Sequence, residues 1–293
     1  MKRIFIRTSF ILLLFCVIFT GCNQSFDGEK DEEESMDILT TNTVEMTVPL
    51  MSATEEKTKI TLKIGTYNIA AGRNTDYDMN VIAKDILSRN LDVVGIQEAD
   101  RFCLRSNYID TMKLLSEYTG YEYYTFTKAV SLEGNAAVYG EGGSYGTGIL
   151  SKYPVSDYKS VNLSSGTYEQ RAVGYVNITV EGHTFAFFNT HLSYEDKETR
   201  TKQFEELDEL IGDRTHFILT ADFNTADLTE FTCFENADTV QHREKFVTFP
   251  SKGTGIDNIV YSKSFEYVTA GVTLVAHSDH RLLWAEFSWN PEK

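Results

Sequence analysis

The chain has 293 residues, of which 42% are hydrophobic and 13% aromatic, and carries a formal net charge of −16. That apolar content excludes a disordered chain and suffices for a globular core in one or two domains. The acidic balance gives no general attraction to nucleic acid or other polyanions.

Lys2, Arg3 and Arg7 precede an uninterrupted apolar run from Phe10 to Phe19. The run is shorter than the ~20 residues that span a bilayer and suits a secretory signal. Phe19-Thr20-Gly21-Cys22 then resembles a bacterial lipobox, with Phe where Leu is usual. That resemblance implies cleavage before Cys22, lipid on its sulfur, and an exported lipoprotein on the extracytoplasmic face of a bacterial membrane. A plain signal peptide with a chance cysteine is the alternative. Asp27 to Asp37 is dense in acidic residues, and Thr40 to Thr58 is Thr-rich with little periodicity. Such a stretch cannot bury enough apolar surface to order itself and reads as a tether. The chain therefore divides into a signal at 1–21, a tether at 22–57 and a folded domain at 58–293. In the domain only Cys103 and Cys233 remain. One disulfide is compatible with export, but unpaired thiols are favoured, and neither a disulfide framework nor a zinc site is built from two such cysteines.

Ile60 to Ile69 alternates as a strand and contains Thr66-Tyr67-Asn68. Met79 to Leu87 places Met79, Ile82, Ala83 and Ile86 on one helical face. Leu91 to Ile96 is a buried-strand run ending at Gln97-Glu98. Ile109, Met112, Leu115 and Tyr118 mark a second helix closed by Gly120. Tyr121 to Thr127 reads as a strand, Ser131 to Gly146 as a Gly-containing loop, and Thr147 to Leu150 and Ser156 to Leu163 as strands. Val173 to Val180 and Thr184 to Thr190 form a hairpin around Glu181-Gly182-His183, which leads to Asn189-Thr190-His191. Glu195 to Ile211 is a long helix with Phe204, Leu207 and Ile211 on its core face. His216 to Thr220 is a strand followed by Asp222-Phe223-Asn224. Ile256 to Tyr261, Phe265 to Val272 and Leu282 to Ser288 are later strands, the last preceded by Ser278-Asp279-His280. No internal repeat is visible. Strands alternating with helices, then hairpin-like pairs, suggest two packed sheets with outer helices.

Five polar fragments thus sit at or just past the ends of apolar runs: Thr66-Tyr67-Asn68, Gln97-Glu98, Asn189-Thr190-His191, Asp222-Phe223-Asn224 and Ser278-Asp279-His280. Strand ends can aim such side chains into one cleft. Carboxylate and amide oxygens suit a hard cation, and His and Asn suit a phosphoryl group. In this order the fragments resemble the endonuclease/exonuclease/phosphatase superfamily, whose members include DNase I, exonuclease III-type abasic-site endonucleases, sphingomyelinases and inositol polyphosphate 5-phosphatases. The likeness runs from Lys59 to about Phe287. It is closest to a branch of metal-dependent hydrolases with a strand like Leu91 to Arg101 and a later Tyr145-Gly146-Thr147-Gly148-Ile149-Leu150-Ser151-Lys152-Tyr153-Pro154.

The resemblance implies an α+β fold, the four-layered α/β sandwich with two mostly antiparallel sheets flanked by helices. It implies Mg²⁺ (or Mn²⁺) near Glu98, Asn68 and Asp279. It gives Asp222 the attacking water, Asn224 and His191 the phosphate, and His280 the phosphate or a proton. Asp257 occupies the family position whose carboxylate bonds that His, an arrangement that fixes its tautomer. Arg171 matches an Arg common in that branch that could clamp a phosphate, and Arg101 and Arg105 are candidates of lower weight. Local alternatives stand beside these roles: a salt bridge from Glu98 to Arg101 or Arg105, a turn-forming Asn68, an Asx turn at Asp222, and a structural ion pair for Arg171. His183, His216, His242 and His277 read as surface or loop histidines. Many relatives have Asn where Thr147 stands. The implied reaction is in-line attack of metal-activated water on phosphorus, with no covalent intermediate. A monomer acting on a small phosphoester, lipid- or inositol-linked ones included, is favoured over a secreted or anchored DNase I-like nuclease and over an inactive binding protein. Nucleic acid is not favoured as a partner, since Ser131 to Gly146 has no Lys or Arg.

Overall fold

A computed structural model describes residues 59–275 and 277–292. The signal-like run, Cys22 and the tether lie outside the described residues. Among the described residues no helix is long and apolar enough to cross a membrane.

Among the described residues, twelve strands form two six-stranded sheets. In the first sheet the order is β11 (Phe265–Val272), β12 (Leu283–Trp289), β1 (Ile60–Asn68), β2 (Val93–Arg101), β4 (Gly143–Ser151), β3 (Tyr123–Leu132). In the second it is β5 (Val155–Leu163), β6 (Arg171–Val180), β7 (His183–His191), β8 (Phe217–Asp222), β10 (Asp257–Ser262), β9 (Ala237–Thr239). Each sheet holds one parallel pair at its centre, β1 with β2 and β7 with β8, and antiparallel pairs elsewhere. The two sheets thus repeat one pattern of strand orientation that no sequence repeat announces. A parallel pair needs a crossover. The first is made through α1 (Met79–Leu87) and the second through α4 (Lys197–Ile211).

The central strands are apolar on both faces because both faces are covered. Leu62, Ile64, Ile149, Val176, Phe187, Ile218 and Phe287 fill the space between the sheets. Tyr67, Ile82, Ile86, Met112 and Leu115 pack α1 and α2 (Thr111–Thr119) against the first sheet. Phe188, Leu192, Phe204, Leu207 and Leu219 pack α4 against the second. Caps set the helix ends: Asp78, Asp110 and Asp196 each accept a backbone N–H of the first turn, and Gly120 ends α2 with a left-handed φ of 74°. The Glu181–Gly182 turn has φ of 51° and 84°, as a two-residue hairpin requires. Helix–sheet–sheet–helix layering is the expected four-layered α/β sandwich.

One expectation changes. The loop expected at Ser131 to Gly146 is largely ordered: β3 runs to Leu132, α3 (Ala136–Tyr139) follows, and β4 starts at Gly143. Tyr139 stacks on Phe102 and Tyr108 with ring centroids 5.1 and 5.3 Å apart, packing that a single-sequence pattern does not display. The short β9 and α5 (Val240–Arg243) were not legible either. Cys103 and Cys233 are free thiols.

Candidate active site

The carboxyl ends of both parallel pairs meet at one cleft of about 900 Å³. Asn68 closes β1, Glu98 lies near the end of β2, His191 closes β7 and Asp222 closes β8. Register supplies the rest. Asp257 opens β10 directly across from Asp222, and His191 lies beside Asp222 on the parallel side.

Glu98 reaches the cleft through a bulge. Between Ile96 and Ala99 the β2–β4 register shifts, and Glu98 takes a φ of 56°. A left-handed non-Gly residue costs about 1–3 kcal/mol, and bulges re-aim side chains. Asn68 then ties two carboxylates together. Its Nδ2 donates to Glu98 Oε1 at 3.1 Å and to Asp222 Oδ2 at 2.9 Å, while its Oδ1 accepts the Ala70 N–H at 3.0 Å. Asn68, expected beside the metal, is fully buried with its amide engaged by Glu98 and Asp222. Glu98 pairs with Arg73 at 3.2 Å, not with Arg101 or Arg105. Arg105 instead binds Asp100, and Arg101 binds Asp110 and Glu141. Arg101 does not line the cleft, because those two carboxylates hold it elsewhere. Its expected contact with substrate is corrected accordingly.

Asp222 and Asn224 converge by a turn and not by continued extension. Asp222 Oδ1 accepts the Asn224 N–H at 2.9 Å, and Asn224 has a φ of 53°. The Asx-turn alternative and the shared-cleft reading are thus the same geometry. Asn224 Nδ2 donates to Leu192 O and to His191 Nε2, each at 2.9 Å. Burial, then Arg171 and His280, hold the His191 pKa well below its ordinary range. That shift favours the neutral imidazole, whose Nε2 can accept from Asn224. The same Nε2, expected to serve a phosphate oxygen, also stands 3.5 Å from Asp222 Oδ2 and faces the cleft.

His280 Nδ1 stands 2.8 Å from Asp257 Oδ2, and its Nε2 stands 3.6 Å from Asp222 Oδ2. Burial alone would lower the His280 pKa, but the charge and hydrogen bond of Asp257, then Asp222, outweigh it and push it up to about 9. Burial, then the charge of Asp257, pushes the Asp222 pKa up to about 7 against His280, Asn68 and Asn224. Phe249 lies against the imidazole with centroids 4.7 Å apart. A carboxylate poised near neutrality beside a charged imidazole can take one proton and give another. Asp279 is exposed on the cleft wall.

Oxygen donors dominate the cleft. Glu98, Asp222 and Asp279 line it, and no cysteine does. That donor set fits a hard divalent cation. Asp222, Asp257 and His280 also offer one ligand atom each within 4.8 Å of one another. Each arginine lining the cleft is paired: Arg73 with Glu98, Arg105 with Asp100, Arg171 with Glu169 at 3.0 Å, and Arg200 with Glu230 at 2.9 Å. Arg171 is 4% exposed, and its Nε has no protein partner.

Two fragment residues lie behind the site. Gln97 Nε2 donates to Thr66 Oγ1 at 3.0 Å and to Asn189 Oδ1 at 2.6 Å. Asn189 Nδ2 donates to Ile96 O and Gly148 O, at 2.9 and 2.7 Å. They link the two sheets. His183 opens β7, His216 packs on Trp289, and His242 pairs with Asp238. His277 is half exposed but pairs with Asp85 at 2.8 Å.

A model of the Endonuclease/Exonuclease/phosphatase family matches residues 65–280. Comparison with curated proteins returns no match. Among solved structures, an endonuclease/exonuclease/phosphatase from Beutenbergia cavernae superposes with a TM-score of 0.67 at 20% identity, covering 78% of this chain and 72% of that one. A mannosyl-6-phosphatase of Bacteroides thetaiotaomicron gives 0.59 at 20% identity, covering 77% and 99%. The human nocturnin catalytic domain with a bound sulfate anion gives 0.58 at 19% identity, covering 79% and 97%.

Proposed function

Because the chain belongs to the endonuclease/exonuclease/phosphatase family, which comprises phosphatases, phosphodiesterases and nucleases, we propose that it is a divalent-metal-dependent hydrolase of small phosphoesters. The observation that carries this reading is the continuous contact chain from Asp257 through His280, Asp222 and Asn68 to Glu98. Glu98, Asp222 and Asp279 would hold Mg²⁺ or Mn²⁺. Such an ion supplies charge neutralisation on the phosphoryl oxygens and acidifies bound water.

The remaining steps belong to the protein. Asp222 accepts the proton of the attacking water. His280, kept protonated and oriented by Asp257, delivers a proton to the leaving oxygen. Arg171 and Asn224, which both line the cleft, flank the phosphoryl group and stabilise its non-bridging oxygens. Among the described residues that line the cleft there is no serine or cysteine, which supports direct attack by water.

The cleft supports a small substrate over a polynucleotide. Its arginines are already paired, which leaves Lys252 as the one lysine lining it among the described residues and gives a weak cationic track for a phosphate backbone. The mannosyl-6-phosphatase among the structural neighbours is consistent with a phosphomonoester as one candidate. The signal-like segment and Cys22 support export and a lipid tether, with substrate met at the cell surface. Intact-mass spectrometry of the native protein tests this: a diacylated chain beginning at Cys22 is expected, and an unmodified Cys22 contradicts it. For the activity, a panel of phosphomonoesters and diesters, including bis-p-nitrophenyl phosphate, should be turned over with Mg²⁺ or Mn²⁺. Turnover of DNA alone would favour the nuclease reading.

A further inference from the structure

Asp85 is buried on α1 alongside Ile82, Ala83 and Ile86. A carboxylate in such surroundings needs partners. Both of its oxygens are engaged. Tyr67 donates its hydroxyl to Oδ2 at 2.8 Å, and His277 Nδ1 stands 2.8 Å from Oδ1. Tyr67 immediately precedes Asn68 on β1. His277 opens the segment 277–280 that carries Ser278, Asp279 and His280.

That segment is anchored at three points. Its last residue, His280, meets Asp257 through Nδ1 at 2.8 Å. Ser278 Oγ donates to Asn68 O at 2.8 Å. Its first residue, His277, meets Asp85 by the same kind of Nδ1–carboxylate contact. One contact ties the segment to the helix layer of the first sheet, and the other ties it to β10 of the second. Leu274 and Val275, just before it, are largely exposed, so apolar packing does not hold this side of the loop. Only the Asp257 contact enters the chemistry described above.

We infer that Asp85 and His277 are a positioning pair that fixes where Asp279 and His280 stand in the cleft. This rests on the proposed hydrolase reading for its catalytic consequence, but not for its geometry. His280 Nε2 lies 3.6 Å from Asp222, beyond hydrogen-bond reach, so a small shift of the segment changes the proton path. Neither Asp85 nor His277 touches the reacting atoms.

The test uses the full chain and two variants. His277→Leu removes the donor and keeps bulk, and His277→Asn keeps a donor near the Nδ1 position. With saturating Mn²⁺ and bis-p-nitrophenyl phosphate, His277→Leu should lower kcat about 10- to 100-fold with little change in KM. His277→Asn should recover most of that loss. In metal-free protein, the ¹H–¹⁵N imidazole signals of His280 should move in His277→Leu and stay near wild type in His277→Asn. Wild-type kcat with unmoved His280 signals in His277→Leu would overturn the inference. So would equal losses in both variants that merely track lost thermal stability. If wild-type protein hydrolyses no phosphoester, the functional reading fails, and the His280 signals alone decide: movement in His277→Leu sustains the pair, and constancy overturns it.

Discussion

The His280 imidazole sits between two carboxylates at unequal distances, 2.8 Å from Asp257 and 3.6 Å from Asp222. The shorter contact orients the ring, and the longer one leaves room for a proton to move. Asp257→Asn should therefore keep the fold and lower turnover. His280→Ala should lower it by about 10²–10⁴-fold, as lost acid–base assistance does. The double variant should be scarcely worse than His280→Ala, because residues acting as a unit are non-additive. Multiplicative losses in steady-state kinetics would separate the two residues. A second consequence is thermodynamic. The folded His280 pKa of about 9 lies above its ordinary 6.5, so the folded state binds this proton more tightly. Its contribution to stability is full below about 6.5 and is lost as pH rises through about 9. Asp222, raised from 3.8 to about 7, adds a loss of the same sign that runs between those two values. His191, lowered, acts below that window. Urea melts in chelator should show stability falling as pH rises from about 6.5 to about 9, and His280→Ala should flatten the upper part of the fall. A flat wild-type profile would contradict the pairing. Asp222 and Asp257 were legible because each stands at a strand end, and His280 because its patterned fragment comes just before β12. Asp85 was not, since one acidic residue in a helix reads as solvated until the apolar neighbours that bury it are seen.

At the scale of the element, the bulge in β2 decides where Glu98 points. A regular strand would alternate Gln97 and Glu98 to opposite faces. The sequence pattern placed Glu98 at the end of a buried run but carried no sign of the register shift or of a φ of 56°. The helices were more legible, because α1, α2 and α4 have both apolar periodicity and a capping Asp. The β3–β4 connection was misread because its order comes from aromatic stacking between distant positions. Glu98→Gly tests the bulge directly. Glycine adopts this φ without strain, so relief of about 1–3 kcal/mol offsets glycine's added unfolded-state entropy. Melting should change by no more than about 1 kcal/mol, while calorimetric Mn²⁺ affinity should be lost. A large drop in stability with metal affinity intact would place Glu98 in the scaffold and not in the site.

Across the whole molecule, two sheets with the same order of strand orientation bring two parallel pairs to one cleft. Close approach of the sheets depends on Gly95, where a Cβ would strike Thr220 and Asn189. Gly95→Val should cost about 1–3 kcal/mol by overpacking, read from denaturant midpoints; an unchanged midpoint would show that the sheets can separate freely. The layers were inferable from alternating strands and helices. The Gln97–Asn189 link was not, because a buried amide that joins two sheets looks, in sequence, like an amide at a site. The charge balance also has a consequence at this scale. With a net charge of −16 and paired arginines in the cleft, substrate capture depends on the bound cation. The decisive measurement is the rate of bis-p-nitrophenyl phosphate hydrolysis by metal-stripped protein as Mg²⁺ or Mn²⁺ is titrated in. Saturable activation that vanishes with EDTA and with Glu98→Gly is expected; full hydrolysis in chelator, or equal activation of Glu98→Gly, would contradict a metal-dependent phosphoester hydrolase at this site.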